Sequence, residues 1–160
     1  MPTNLYGPGD NYHPENSHVM AALIRRFSEA AQQPEQGGQS TVTCWGSGTP
    51  RREFLHVDDL AAAVVFCLER WQPKLGEPSF LNVGTGVDLS ISELADAVST
   101  ATGFHGAIRW DANRPDGTPR KLLDVQRMRD FGWSARIPLE EGLKRTVAEF
   151  LQTADQPVRP

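Results

Sequence analysis

Segments with the pattern of β-strands alternate with segments with the pattern of α-helices along almost the whole chain of 160 residues. Four short segments have the composition of strands, and they cover residues 41–45, 52–57, 79–84 and 107–110. The stretches between them repeat apolar residues three and four positions apart, which is the spacing of a helix. This alternation favours an α/β architecture with a largely parallel sheet, and the length suits one domain.

Capping residues predict where the helices begin and end. Ser17 and Asp58 each precede a helical pattern, and Ser90 with Glu93 forms a capping box before a helix that Gly103 ends. Three of the predicted helices each have an apolar face. In the first helix it consists of Met20, Leu23, Ile24 and Phe27. In the helix over about 59–71 it consists of Leu60, Val64, Leu68 and Trp71, and in the helix over about 139–151 of Leu139, Leu143, Val147 and Phe150.

Composition and charge exclude several classes of protein. The 16 Lys and Arg are outnumbered by 20 Asp and Glu, for a net charge of −4, which argues against a nucleic-acid partner. No stretch approaches ~18 consecutive apolar residues, and the first residues lack the features of a secretion signal. We therefore expect a cytoplasmic protein with no membrane partner. Cys44 and Cys67 lie in apolar runs and are expected to be buried, and no metal-ligand spacing is present.

His18 is the candidate for acid–base chemistry. It lies at the start of the first predicted helix, and imidazole exchanges protons near neutral pH, as a general acid must. Arg26, further along the same helix, would reach an anionic ligand at the same opening. The residues alone leave open a solvent-facing histidine and a solvated arginine.

Four other residues have the chemistry of a nucleotide site. Trp45 and Arg52 flank a Gly/Pro turn, where an indole covers a flat base and a guanidinium offers paired donors to a phosphate. Asp116 is able to accept from ribose hydroxyls or to cap its own turn, and Lys121 to oppose a diphosphate. A flat, polar, anionic ligand such as a nucleotide-sugar fits this set, although spacing does not show that the groups converge.

Four stretches of the chain also match a known family in kind and order. They are PTNLYGPGDNYHPENSHVMAALIRRF, WGSGTPRREFLHVDDLAAA, LNVGTGVDLSISELA and RPDGTPRKLLDV, followed by GW at 132–133 and PLEEGL at 138–143. Together they resemble the GDP-L-fucose synthases, NADP-dependent epimerase/reductases of the extended short-chain dehydrogenase/reductase superfamily. The segments PTNLYGP, NSHV and PDGTPRKLLDV are more specific than the superfamily as a whole.

The resemblance implies a reaction and a set of site residues. In this family GDP-4-keto-6-deoxy-D-mannose is epimerised at C3 and C5, then reduced at C4 by NADPH to GDP-L-fucose. His18 would be the acid in epimerisation and would lie near the nicotinamide. The residues that would line NADP are Pro2, Thr3, Asn4, Leu5 and His18. The residues that would hold the GDP-sugar are Val19, Arg26, Trp45, Arg52, Asp116 and Lys121.

Other parts of the family pattern are not in this sequence. The Gly-rich cofactor loop, the Ser and Tyr-x-x-x-Lys residues of hydride transfer and the catalytic cysteine belong upstream of the P-T-N-L segment. Tyr6 and Tyr12 are not followed by Lys at that spacing, and neither Cys44 nor Cys67 matches the catalytic cysteine. The chain thus resembles the C-terminal half of a Rossmann-type enzyme.

That resemblance divides the chain between two lobes. The substrate lobe would include about 11–53 and 80–119, and about 1–10, 54–79 and 120–150 would return to the cofactor lobe. We expect the chain alone to be inactive and the complete enzyme to be a homodimer. We also expect apolar helix faces to be uncovered in 54–79 and 120–150.

Three other readings of the residues remain open at this point. One is a nucleotide-sugar binding module without chemistry, and another is a different NAD(P)-dependent nucleotide-sugar epimerase or dehydratase. The third is a structural interaction domain in which His18, Arg52 and Asp116 are solvated surface groups.

Overall fold

The computed structural model describes residues 1–32, 40–76 and 78–153, so most of the loop predicted over 32–40 lies outside the described residues. Strands and helices alternate in these ranges, as the sequence predicts. The strands are β1 (Asn4–Tyr6), β2 (Thr41–Trp45), β3 (Arg51–His56), β4 (Asp88–Ser90), β5 (Ala107–Asp111) and β6 (Arg120–Lys121). The helices are α1 (Val19–Gln32), α2 (Val57–Arg70), α3 (Ile91–Thr102), α4 (Gln126–Asp130) and α5 (Leu139–Thr153).

Strand β3 is the centre of the larger sheet. β1 runs parallel to its second half, with Asn4 opposite Phe54, while antiparallel β4 and parallel β6 pair with its first half. β2 and β5 form a separate parallel pair in which Trp45 lies opposite Asp111. Of the four strand pairings in the described ranges three are parallel, which confirms the largely parallel α/β architecture.

The first hydrophobic core lies between α1, α3 and α5. All four predicted core residues of α1 are buried here, and the Phe27 ring meets the Phe104 ring edge-on at 5.2 Å. Leu143, Val147 and Phe150 of α5 are buried in the same core. The expectation of an uncovered apolar face in 120–150 is therefore wrong for α5, because α1 and α3 cover it. The lobe boundaries that the resemblance implied remain a prediction.

The second hydrophobic core is smaller, and α2 is only partly covered by it. Its buried members are Leu55, Ala63, Leu81, Val83, Met128 and Trp133. Val64, Val65 and Leu68 of α2 remain 49%, 55% and 82% exposed. The uncovered apolar face expected in 54–79 is therefore confirmed for α2. The predicted core face of this helix is wrong at Val64 and Leu68, because the second core contacts the side of the helix that carries Ala63.

Two predicted helix starts are shifted in the structure. The carbonyl of His18 accepts from the Ala22 N–H at 2.9 Å, so the cap position of α1 is His18 and not Ser17. The cap of α2 is His56, whose Nδ1 accepts from the Asp58 N–H at 3.2 Å. Asp58 lies in the first turn instead, where its charge faces the positive end of the helix dipole. An imidazole nitrogen replaces the oxygen that usually caps, which the sequence pattern does not indicate.

Other local predictions have mixed outcomes. The capping box of Ser90 and Glu93 is confirmed, and so is Gly103 as the left-handed C-cap of α3. The strand predicted over 79–84 is wrong: Val83 forms an isolated bridge with Pro2, since the segment pairs only with the first few residues. Cys44 is buried as expected, Cys67 is half-buried, and both are free thiols.

Candidate functional site

The turn after β2 and the loop before β6 are joined by Asp116. Its Oδ1 accepts from the Ser47 N–H at 2.9 Å and its Oδ2 from the Ser47 hydroxyl at 2.7 Å. These hydrogen bonds lower the pKa of Asp116, the hydroxyl contributing most, so the carboxylate is ionised at neutral pH. Asp116 thus caps a neighbouring turn and not its own, and Ser47 is a partner that sequence reasoning missed.

Gly46 allows this close approach. Its φ is +80°, and a Cβ at this position would lie 2.3 Å from Asp116 Oδ1. A side chain here would meet both a strained backbone and the carboxylate. The glycine therefore belongs to the construction of the site and is not merely a flexible turn residue.

Trp45 presents its indole to solvent at the end of β2. The side chain is 65% exposed, and the guanidinium carbon of Arg114 lies 4.7 Å from the ring centroid. A large exposed aromatic beside cationic groups is suited to a planar ligand. Arg114 was not singled out from the sequence, because a single arginine in a polar loop has no distinguishing pattern.

Arg52 and Lys121 lie on the strand pair that follows this turn and this loop. They are register partners in the β3–β6 pair, and Arg52 donates through Nη1 to the Arg51 carbonyl at 2.7 Å. A Cβ placed on Gly117 would lie 3.0 Å from Arg52 Nη2, so the guanidinium is beside the loop that carries Asp116. The Ser47–Asp116 contact and the β3–β6 pair thus connect four of the predicted residues, and we call Trp45, Arg52, Asp116 and Lys121 the edge cluster.

Helix α1 links the edge cluster to His18. Arg26 donates through Nη2 to the carbonyl of Thr43, two residues before Trp45 on β2. His18 precedes the helix and is exposed, and Val19, its first residue, is 38% exposed. Eight residues at 1.5 Å rise place His18 about 12 Å from Arg26 along the helix axis. The candidate site therefore has two ends, and His18 is not part of the edge cluster.

The P-T-N-L segment lies on β1 and just before it, and β1 pairs with the second half of β3. Pro2 is exposed, while Thr3, Asn4 and Leu5 are half-buried. The Thr3 hydroxyl and the Asn4 side-chain amide both donate to the backbone carbonyl of Glu53, at 3.3 and 2.8 Å. These bonds hold the segment against β3.

Glu53 is a fully buried carboxylate that sequence reasoning missed. Its Oε1 accepts from the Gly86 N–H at 2.7 Å, and its Oε2 from the Leu123 N–H at 3.1 Å. A Cβ on Gly84 would lie 2.3 Å from Oε1. The N-V-G-T-G segment is thus a tight turn that encloses a carboxylate.

The two tyrosines do not have the environment of hydride-transfer residues. Burial, and to a lesser extent Asp59, raises the pKa of Tyr6 to about 12. Burial also raises the pKa of Tyr12, with Glu149 and Asp10 adding to it. Both hydroxyls are therefore protonated at neutral pH. Tyr6 is buried in the first core, and Tyr12 is partly buried against it.

Comparison with known proteins decides the family. The profile of the NAD dependent epimerase/dehydratase family matches residues 1–84, more than half of the chain. The chain belongs to this family. This epimerase/dehydratase-family chain is 52% identical to GDP-L-fucose synthase of Escherichia coli (strain K12), a match that covers 98% of the chain and 49% of that relative. It is 49% identical to GDP-L-fucose synthase 1 of Arabidopsis thaliana, over 95% of the chain and 45% of that relative.

Solved structures show the same fold for this family member. A GDP-L-fucose synthetase from Naegleria fowleri superposes with a TM-score of 0.84 at 26% identity, covering 99% of this chain and 47% of that one. A GDP-6-OMe-4-keto-L-xylo-heptose reductase from C. jejuni gives 0.83 at 30% identity, over 96% and 53%. These matches confirm the predicted fold class, part of a Rossmann-type extended short-chain dehydrogenase/reductase. The chain spans about half the length of the curated relatives it matches.

Across residues 1–32, 40–76 and 78–153, no three His, Cys, Asp or Glu side chains are grouped so as to hold a metal ion. In the same ranges no helix has the length and apolar character needed to span a membrane.

Proposed function

We propose that this chain is the C-terminal, substrate-binding half of a GDP-L-fucose synthase. The whole enzyme would convert GDP-4-keto-6-deoxy-D-mannose to GDP-L-fucose by epimerisation at C3 and C5 and NADPH-dependent reduction at C4. The observation that carries the proposal is 52% identity over nearly the whole chain to a protein of that name. By the same reasoning the complete enzyme is a cytoplasmic homodimer.

The edge cluster has the chemistry to hold the nucleotide diphosphate. The exposed indole of Trp45 offers a flat apolar face to a base, and Arg52 and Lys121 bring two positive charges to adjacent strand positions. Asp116 is held by Ser47 with its charge intact, and each oxygen keeps a further lone pair for a ribose hydroxyl. Arg26 on α1 adds a further positive charge to the cations of the edge cluster.

His18 would act at the other end of the ligand. Epimerisation beside a ketone requires a base to remove a proton from carbon and an acid to return one. The exposed imidazole at the start of α1 is free to approach a substrate carbon and to donate that proton. The separation of about 12 Å from Arg26 suits a ligand whose sugar and nucleotide are joined by a diphosphate.

The P-T-N-L segment would line one end of NADP. Pro2 is exposed and Thr3, Asn4 and Leu5 are half-buried, so the segment is accessible for contact with part of a dinucleotide. A Naegleria fowleri relative of the same fold is known with NADP bound. When bound, the cofactor supplies the hydride for reduction at C4. Pro2, Thr3, Asn4 and Leu5 would position it, and His18 would border it.

Binding of GDP to the purified chain tests the substrate-binding half of the proposal. Calorimetry is expected to show saturable binding that Arg52→Ala weakens at least tenfold. Arg145→Ala removes the same charge from an exposed position on α5 and is expected to leave binding unchanged. Absence of GDP binding by the native chain would contradict the proposal and favour a structural domain.

Restored turnover tests the catalytic half of the proposal. The chain alone is expected to show no NADPH-dependent turnover, because the hydride-transfer Tyr and Lys are not in this sequence. Mixed with the cofactor-binding half of the Escherichia coli relative, it is expected to recover activity that His18→Ala abolishes. GDP binding without any recovered turnover would favour a non-catalytic nucleotide-sugar binding module.

We also propose that the cofactor-binding half packs on the uncovered face of α2. Val64, Val65 and Leu68 form an apolar stripe at helical spacing that the second core leaves exposed. The relatives are about twice as long as this chain, so their additional residues are enough to cover the stripe. Parallel α/β sheets of this kind normally have both faces covered.

A charge placed on α2 tests this packing. Leu68→Glu, at an 82% exposed position, is expected to reduce complex formation with the cofactor-binding half and self-association of the chain alone. Ala148→Glu, on the exposed side of α5, introduces the same charge and is expected to change neither. The packing on α2 would be contradicted if the native chain, Leu68→Glu and Ala148→Glu gave equal sedimentation profiles, both alone and mixed with the cofactor-binding half.

A further inference from the structure

The guanidinium of Arg114 covers part of the indole face of Trp45. Its central carbon lies 4.7 Å from the ring centroid, yet the tryptophan remains 65% exposed. A planar cation over an aromatic face is an attractive arrangement, and it places an arginine where a planar ligand would stack. Neither the sequence motifs nor the resemblance assigns Arg114 a role.

One backbone oxygen positions both residues. The carbonyl of Asp111 accepts from the Gly46 N–H at 3.0 Å and from the Arg114 N–H at 3.1 Å. The carboxylate of Asp111 also accepts from the Asn113 N–H at 3.1 Å, which holds the tight turn between them. Trp45 directly precedes Gly46, so the two side chains start from backbone segments anchored at the same point. The backbone therefore holds the two residues close enough for their side chains to stack.

The side chain of Arg114 is held less firmly than its backbone. It is 56% exposed, and its Nε lies 3.9 Å from Asp111 Oδ2, beyond hydrogen-bond distance. An exposed ion pair at such a distance restrains a side chain weakly. The guanidinium is thus free to leave the indole while its Cα stays beside the ring.

We propose that Arg114 is a base-stacking residue of the nucleotide site. The inference rests on the proposed binding of a guanine nucleotide and adds a residue to it. When the nucleotide binds, its purine takes the indole face that Arg114 covers, and the guanidinium moves to the outer face of the base. The purine then lies between Trp45 and Arg114, with its diphosphate toward Arg52 and Lys121.

The flat indole of Trp45 and the flat guanidinium of Arg114 favour a purine between them, and position 114 requires an arginine for this stacking. Indole and guanidinium are both flat, and each stacks on an extended π-system. A lysine ammonium is a compact charge without a plane, so it would not replace the outer layer. The phosphates already have two cations in the edge cluster, which leaves Arg114 for the base.

Titration of the chain with GDP and with inorganic pyrophosphate tests the proposal. Arg114→Ala and Arg114→Lys are both expected to weaken GDP binding ~5- to 20-fold, as loss of a desolvated cation–π layer does. Neither is expected to change pyrophosphate binding. Arg145→Ala, which removes one charge elsewhere, is the matched control for Arg114→Ala. In a Trp45→Ala background, Arg114→Ala is expected to weaken GDP binding less than it does in the native chain, because both residues hold the same base.

Different results identify which idea fails. Native GDP affinity in Arg114→Ala would overturn the stacking role alone, and tighter binding would show that Arg114 merely covers the indole. Equal losses for GDP and pyrophosphate, or full rescue by lysine, would show a charge effect and also overturn it. If the native chain binds neither ligand, the proposed function and this inference both fail.

Discussion

Ser47 donates two hydrogen bonds to Asp116, one to each carboxylate oxygen, at 2.9 and 2.7 Å. The two residues are 69 positions apart, and their contact holds the turn after β2 against the loop before β6. The edge cluster depends on this contact, because Trp45 precedes the turn and Lys121 follows the loop.

The contact makes stability depend on pH. The pKa of Asp116 is lower in the folded chain than its ordinary 3.8, so its contribution is present above 3.8 and is lost as the pH falls through the lower folded value. Asp116→Asn is therefore expected to lower Tm at neutral pH, and this difference should shrink in acid. A Tm difference that stays constant with pH would argue against an ionised Asp116. Ser47→Ala, which removes the hydroxyl donor, is expected to reduce the same pH dependence.

Gly46→Ala is expected to be more destabilising than Gly9→Ala. Both glycines have positive φ, +80° and +81°, and an L-residue in such a conformation costs roughly 1–2 kcal/mol. A Cβ on Gly9 meets nothing within 4 Å, while one on Gly46 would displace the Asp116 carboxylate. Urea unfolding of the two variants measures the comparison. Equal losses would show that the turn accommodates a methyl group without moving Asp116.

Glu53→Gln is expected to lower the free energy of unfolding by about 1–3 kcal/mol, since one buried N–H loses its acceptor. Both carboxylate oxygens accept backbone N–H groups, from Gly86 and Leu123, and an amide offers only one acceptor. Glu140→Gln, on the exposed side of α5, removes the same charge and is expected to have little effect. Denaturant titrations of both variants give the comparison. A stable Glu53→Gln chain would mean that the two loops do not depend on this carboxylate.

His56 is expected to make the chain less stable in mild acid. Burial lowers its pKa, with Arg145 acting in the same direction and Asp58, Asp59 and Glu141 opposing it. Because the folded value is below the ordinary 6.5, the contribution is present above 6.5 and is lost as the pH falls through the folded value.

The measurement is the free energy of unfolding as a function of pH. His56→Asn keeps a side chain that caps helices and has no titrating group, so its unfolding free energy is expected to fall less steeply in this range. Parallel curves for the native chain and His56→Asn would show that another group controls the acid sensitivity.

Local patterns predicted the elements that are stabilised by near neighbours in sequence. The core face of α1 from Met20 to Phe27 and the buried face of α5 follow from helical spacing alone. The capping box of Ser90 and Glu93 spans three residues, so its partners are readable in order. Cap positions at His18 and His56 were misplaced by one or two residues, because side chains other than those of the usual capping residues occur there.

The face of α2 shows a limit of such patterns. Val64 and Leu68 have the spacing of a buried stripe, yet both are exposed in this chain. Periodicity states that a face is apolar, and only the packed structure states whether something covers it.

The sequence by itself determined the α/β class, the helical core faces and the chemical types available to the site. Only the tertiary structure decided which of them meet: Asp116 with Ser47, Arg114 over Trp45, and Glu53 with two distant loops. The physical reason is the range of the interactions. Helical spacing and caps join residues a few positions apart, whereas these contacts join segments that approach only after the strands pair and the two cores form.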